Sequence, residues 1–482
     1  MKDNKINLLN ILIIFVLLCI PLSLISINSE LIIGDELWNF QNISKLINGA
    51  TMYVNCNIIV TPIFYLIGYC FVKYITGTIL GFRIYNIIIL FSLLLSCFVL
   101  FKTLKINITR SFLYTLIVFL FVMPYVNVGA NYNVLAETIY IIGIILFFNK
   151  DRFKFYNFYQ GLVIFSCVFT KQNIGLYYLI GLIIIEIIID KKESIHYIIK
   201  EIMFFLCLTL IAVLIMFNTG CYSGFLNYTI FGMREFTIEN TSIEQSIEVI
   251  IIGYLIIALC SYILGFFISR KIKNISNNIV VLSIFSIFLN FSIFPIFNLY
   301  HASFAILLNL IIFIFFLEKL LICNIKNNII LNVIILLLYI TINSYGIICV
   351  YKSCKNFRIV DKESIYYSSN ISLNLYKQLE DVTDYIKQKE EEGIGIICIT
   401  ADGPLYMTYL KKNNGDFDLC FNGNLGYNGK KNIINKIQTL ENTQILMNKN
   451  IYWQEVDELR FFVIENFKKV GNINDLMIYE SI

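Results

Sequence analysis

The sequence predicts an α-helical polytopic membrane protein of about 11 transmembrane helices, N-terminus in and C-terminus out, carrying a small C-terminal extracytoplasmic α/β domain. Three observations point there. Hydrophobic residues fill 58% of the 482 positions against 15% charged, and mean hydropathy is +0.74, more apolar surface than a soluble chain of this length can bury. Apolar runs of membrane-crossing length recur up to about residue 350. The basic residues between those runs fall almost entirely on alternate sides.

The runs cover about 8–28, 79–101, 111–130, 132–148, 157–171, 174–190, 200–218, 246–268, 277–297, 301–321 and 328–350. No small-residue cleavage site follows the first, which is expected to be a retained anchor. With the N-terminus inside, Lys2, Lys5, Lys102, Lys105, Arg110, Lys150, Arg152 and Lys154 share one face with Lys191, Lys192, Lys200, Arg270, Lys271, Lys273, Lys319 and Lys326. The opposite loops before residue 350 hold Lys45, Lys73 and Arg234, with Arg83 and Lys171 at helix ends. An apolar piece at about 58–75 would invert every later loop if it crossed, so it is expected to lie along the outer interface. The first external loop then spans 29–78, with an amphipathic helix over 36–48.

A formal net charge of +4 with no basic patch argues against nucleic acid as a partner. The 13 cysteines sit mostly singly in apolar segments and form no CxxC pair, which excludes a disulfide framework or zinc cluster, although Cys398 and Cys420 could pair. Past 350 the composition turns to Lys, Glu, Asn and Gly, and residues 351–482 form the second domain beside a transmembrane domain of 1–350. There SLNLYKQLEDVTDYIKQKEEEG predicts a helix ended by glycine, IGIICIT a strand and ADGPLYMTYLKK a helix, while TQILMN and LRFFVIENF predict strands.

GDELWNF, residues 34–40, puts two carboxylates at the bilayer edge, where they need a partner or a task. Asp35 could be an N-cap with Glu36 in the first turn, or a general base in an external cleft. Lys171 and Arg83 read as interfacial anchors or, with Arg234 and His301 on the same face, as cations converging on a phosphate. Asn131, Tyr132 and Asn133 mark an outer turn, and Glu137 follows about a turn inside an apolar helix, where a carboxylate signals a site.

In this order the features resemble the polytopic C-type glycosyltransferases that use polyprenyl-phosphate sugars, the protein-mannosyltransferase and aminoarabinose-transferase-like branch of family 39 type. GDELWNFQNISKLINGATMY (34–53), TPIFYLIGYCFVKYITGTILGFRIYN (61–86), FTKQNIG (169–175) and LYHASFAI (299–306) carry the resemblance. It implies a catalytic loop over 29–78 in a multi-pass protein of the cell membrane, and transfer of one sugar to a hydroxyl on a lipid, glycan or protein at the outer face. It makes Asp35 the base, with Glu36 its neighbour, and Lys171 and Arg83 contacts to the donor phosphate; Arg234 and His301, cations on the same face, are read as further phosphate-binding residues, and Asn131, Asn133 and Glu137 stand at an acceptor or second site. No cofactor is implied with certainty, and a divalent cation is left open. The sequence departs from the family where Asn131-Tyr132-Asn133 replaces a second acidic residue, where Thr61-Pro62 replaces a Lys-Pro or Pro-Pro pair, and where Gln172-Asn173 follows Lys171 in place of glycine. The rival readings are a flippase or transporter for a lipid-linked saccharide, or a polysaccharide polymerase or ligase.

Overall fold

The computed structural model describes residues 8–126, 129–189, 194–241, 276–294, 296, 299–320, 328–359, 364–367, 369–418, 420–450 and 455–481. The membrane body begins with α1 (Leu8–Asn28), α2 (Asp35–Ile47), α3 (Ile63–Phe71) and α4 (Ile79–Thr103). It continues with α5 (Ile108–Val126), α6 (Tyr132–Phe148), α7 (Tyr156–Val168), α8 (Gln172–Ile189) and α9 (Ser194–Asn218). The short α10 (Tyr222–Phe225) and α11 (Gly232–Thr241) follow. Later helices span Ser276–Asn290, Leu299–Ala305, Leu307–Leu320 and Asn328–Asn356, so the single apolar run expected over 301–321 is interrupted at Ile306. Among the described residues four helices are long and apolar enough to cross a bilayer, namely Ile79–Thr103, Gln172–Ile189, Ser194–Asn218 and Ile330–Lys352, with six shorter apolar ones beside them. The expected span 246–268 and the basic positions 2, 5, 191–192, 270–273 and 326 lie outside the described residues.

α4 is the hub, packing on α1, α5 and α6, and the layer continues from α6 through α7 to α8 and α9. Its buried Phe82, Leu90, Leu93, Leu94 and Phe98 recur at spacings of three, four and eight, which puts them on one side of the helix. α2 is amphipathic as expected, and the 58–75 piece forms α3 plus a widened turn at Val72–Thr76 that Gly77 ends with φ +68°.

The C-terminal sheet has the order β3-β4-β6-β5, from β3 (Gly395–Cys398), β4 (Thr443–Asn448), β5 (Phe467–Ile473) and β6 (Leu476–Ser481); β1 (Phe357–Ile359) and β2 (Asn370–Ser372) pair separately. β3 and β4 are parallel and the other pairs antiparallel. The strand expected over LRFFVIENF is instead a helix, Asp457–Asn466: its acids Asp457 and Glu458 sit in the first turn, and Leu459 and Val463, four apart, form the buried stripe. Cys398 and Cys420 are both free thiols. One apolar core runs from the membrane body into this domain through Tyr366, Leu379, Leu405 and Tyr406, and a second lies under the sheet around Ile437, Ile445 and Val463.

α2 is clamped to the C-terminal domain. Asp418 forms a buried ion pair with Lys45 and accepts a hydrogen bond from Gln41 Nε2 at 2.9 Å. Asn57 Nδ2 donates to the carbonyls of Asp416 at 2.9 Å and Asp418 at 3.0 Å, and Tyr228 donates to Asn57 Oδ1 at 3.1 Å.

Candidate functional site

α2 begins without a side-chain cap. Gly34 holds the cap position at φ +125°, a backbone region open essentially to glycine, so Asp35 is the first helical residue and not the N-cap. That placement leaves its carboxylate free of a capping role at the helix's positive end. Asp35 is partly buried, and Asn131 Nδ2 lies 3.5 Å from its Oδ2. Burial raises its pKa above the usual carboxylate value, and the charge of Lys171 pulls it back down.

Glu36 points the other way. Its Oε1 accepts from Arg83 Nε at 2.9 Å, and its Oε2 accepts from Arg83 Nη2 at 3.3 Å and from the Ile32 N–H at 3.0 Å. Arg83, fully buried, spends its remaining donors on the carbonyls of Ile27, Ser29 and Glu30 at 3.0, 2.9 and 3.4 Å. Gly129 lets a neighbouring loop press against this pair, since a Cβ there would stand 2.7 Å from Glu36 Cγ. The expectation that Arg83 holds the donor phosphate is therefore corrected: a guanidinium with every N–H engaged inside the protein has none left for a ligand. Glu36 is its counter-ion in this structure.

Lys171 stands in the turn between α7 and α8. Phe169 O accepts from Ile63 N at 2.9 Å, Val168 O from Thr61 Oγ1 at 2.8 Å, and Gln172 reaches Ile59 O at 3.2 Å, so this turn is tied to the start of α3. The Lys171 ammonium bonds Asn133 Oδ1 and lies 5.7 Å from the Tyr132 ring centroid. Asn131 caps α6 by accepting from the Asn133 N–H at 2.7 Å, which fixes both asparagines. Asp35, Glu137 and His301 all feel the Lys171 charge. Glu137 is 0% exposed, and neither carboxylate oxygen has a hydrogen-bond partner among the described residues.

The fold thus gathers Asp35, Asn131, Asn133, Glu137, Lys171 and His301 from α2, α6, the α7–α8 turn and the helix Leu299–Ala305. Arg234 is exposed on α11, and none of the contacts described for this cluster reaches it. Tyr65 was not foreseen: its hydroxyl donates to Asn39 Oδ1 at 2.7 Å and it lies within electrostatic range of Asp35 and Tyr132. The seven-residue spacing from Pro62 to Tyr69 carries several aromatics, and nothing in that pattern marks Tyr65 over its neighbours. Among the described residues no group of three or more His, Cys, Asp or Glu is placed to hold a metal ion.

The described chain is a body of apolar helices whose α2 is clamped to a small mixed sheet beyond the last apolar helix. Two solved structures are similar to this chain. ArnT from Cupriavidus metallidurans bound to undecaprenyl phosphate superposes with a TM-score of 0.60 at 9% identity, covering 98% of both chains. The Archaeoglobus fulgidus oligosaccharyltransferase complex with Zn and sulfate gives a TM-score of 0.52 at 8% identity, covering 97% of this chain and 73% of that one. At such identities the likeness is one of fold. No protein-family model matches the chain, and no curated protein does.

Proposed function

We propose that this chain is a glycosyltransferase of the cell membrane that moves one sugar from a polyprenyl-phosphate donor to a hydroxyl acceptor at the outer face, with inversion. The observation that carries the reading is the pairing of Asp35, a partly buried carboxylate with no capping duty, with the Lys171 ammonium across the asparagines of the α6 start. The acceptor hydroxyl oxygen attacks the anomeric carbon, and the bond from that carbon to the phosphate oxygen breaks. Asp35 takes the hydroxyl proton, and the electron pair leaves with the lipid phosphate, whose charge Lys171 stabilises. Asn133 holds the ammonium in place, and Glu137 stands behind it as the acceptor-side or second-site carboxylate. The similarity to a structure bound to undecaprenyl phosphate supports a lipid-phosphate donor.

The test is to incubate the purified protein with a panel of polyprenyl-phosphate sugars and follow free lipid phosphate by mass spectrometry. Asp35→Asn, nearly isosteric, is expected to fold and bind donor while turnover falls roughly 10²-fold or more, because an amide cannot accept the proton. Lys171→Met is expected to lower both donor affinity and turnover, because the leaving phosphate loses the cation that stabilises its charge. Unchanged transfer by Asp35→Asn would remove the base from α2.

A further inference from the structure

A concavity lies at the other end of the membrane body from the Asp35 cluster. α6 runs from Tyr132, beside Lys171, to Phe148, so its two ends are roughly 25 Å apart at 1.5 Å per residue. Past Phe148 the chain turns through 149–155 into α7, and the start of α9 packs alongside. The space between them has a volume of about 680 Å³, and its walls include Lys150, Lys154, Asn157, Tyr197, Lys200 and Phe204. The Lys150 ammonium lies 5.7 Å from the Phe147 ring centroid and 5.8 Å from that of Tyr197, which holds it at the wall. Lys154 and Lys200 are exposed, and among the described residues of the lining Asp151 is the one acid.

A further feature favours an anion: α7 starts here at Tyr156 with no side chain capping it, so the N–H groups of the lining residues Asn157 and Phe158 are at the helix's positive end. The rim is aromatic, with Phe155 60%, Phe158 39% and Phe204 38% exposed, as suits headgroup depth. From this rim the face of α9 carrying Ile199, Met203, Leu206 and Leu210, each more than half exposed, runs along the direction of an acyl chain.

We propose that this concavity binds the phosphate of an anionic phospholipid in the leaflet opposite the Asp35 cluster. The lysines and the α7 amides take the phosphate oxygens, and α9 takes the tails. A general attraction of basic loops to anionic lipid predicts the same charge but no dependence on which lysines supply it. The proposal is independent of the transfer reaction.

The full chain is placed in nanodiscs of phosphatidylcholine containing phosphatidylglycerol, and the lipids it retains are counted by native mass spectrometry. Lys154→Gln/Lys200→Gln, both at exposed positions, is expected to lose most retained phosphatidylglycerol, with apparent affinity down roughly 10-fold. Lys105→Gln, an exposed lysine in the α4–α5 turn at the same end of the body, is expected to retain it. Equal losses in the two variants, or no loss in either, would overturn the proposal. A third arm adds inorganic phosphate to the unaltered protein: bound lipid should survive it, and displacement at equal concentrations of phosphate would assign the site to the free ion.

Discussion

Arg83 and Glu36 form a buried ion pair whose donors and acceptors are engaged inside the protein. Arg83→Met is expected to strand the Glu36 carboxylate without its counter-ion and destabilise the protein by about 3–5 kcal/mol, read as a fall in the unfolding midpoint in detergent. Any variant protein that remains folded should keep its donor affinity, which separates the frame from a phosphate ligand. Asp402 in the C-terminal domain gives a pH-dependent case. Burial, with Glu455 and Asp475 nearby, pushes its pKa up to about 6 from 3.8. A raised carboxyl pKa means the folded state holds the proton more tightly, so its contribution is fully present below pH 3.8 and is lost as pH rises through about 6. Asp402→Asn is therefore expected to gain on the order of 1–3 kcal/mol at pH 7 and little near pH 4, measured by thermal melts across that window. At this scale the sequence marked six of the residues that meet, because an ionisable or amide side chain next to hydrocarbon is conspicuous. It could not sort them. Whether Arg83 faces a ligand or Glu36 depends on the path of the chain from Ile27 to Glu30, whose carbonyls complete the guanidinium's shell, and no residue pattern encodes that.

The direction of α2 rests on one glycine. An alanine at position 34 meets no atom within 4 Å, so the cost of Gly34→Ala is backbone strain alone, about 1–3 kcal/mol. The helix start is expected to shift, moving Asp35 relative to Asn131, and turnover should fall further than stability does. Activity measured beside the melting midpoint distinguishes this from general destabilisation. Elements with a strong period were readable: α2, the helix Leu373–Glu391 and strands β3 and β4 stand where the pattern put them. LRFFVIENF was not, because an apolar run of that length fits a buried strand as well as a helix stripe, and the acids at 457–458 that favour a helix start lie just before it. The helix Gly429–Gln438 and the β5–β6 hairpin, turned at Asn474 with φ +49°, went unread for a related reason: KKVGNIND is polar on one face and short.

The two domains meet through residues far apart in the chain, with Gln41 and Asp418 377 positions from each other. Asp418→Ala leaves Lys45 buried and unpaired, with an expected loss of about 3–5 kcal/mol and release of the C-terminal domain to limited proteolysis. The run of apolar helices could be anticipated from hydropathy. The clamp could not, because Asp418 in GDFDLC looks like any exposed loop acid until the fold sets it at 1% exposure. That clamp has a consequence for biogenesis. α2 leaves the ribosome early, and its polar face stays unmatched until nearly 400 further residues have been made and the last domain has folded onto it. The helix that carries Asp35 is then secured only when the segment holding Asp418 has been made. A chain truncated after residue 356, with every member of the Asp35 cluster present, is expected to insert in the membrane and transfer no sugar; adding residues 357–482 as a separate polypeptide is the measurement that asks whether completion needs covalent continuity.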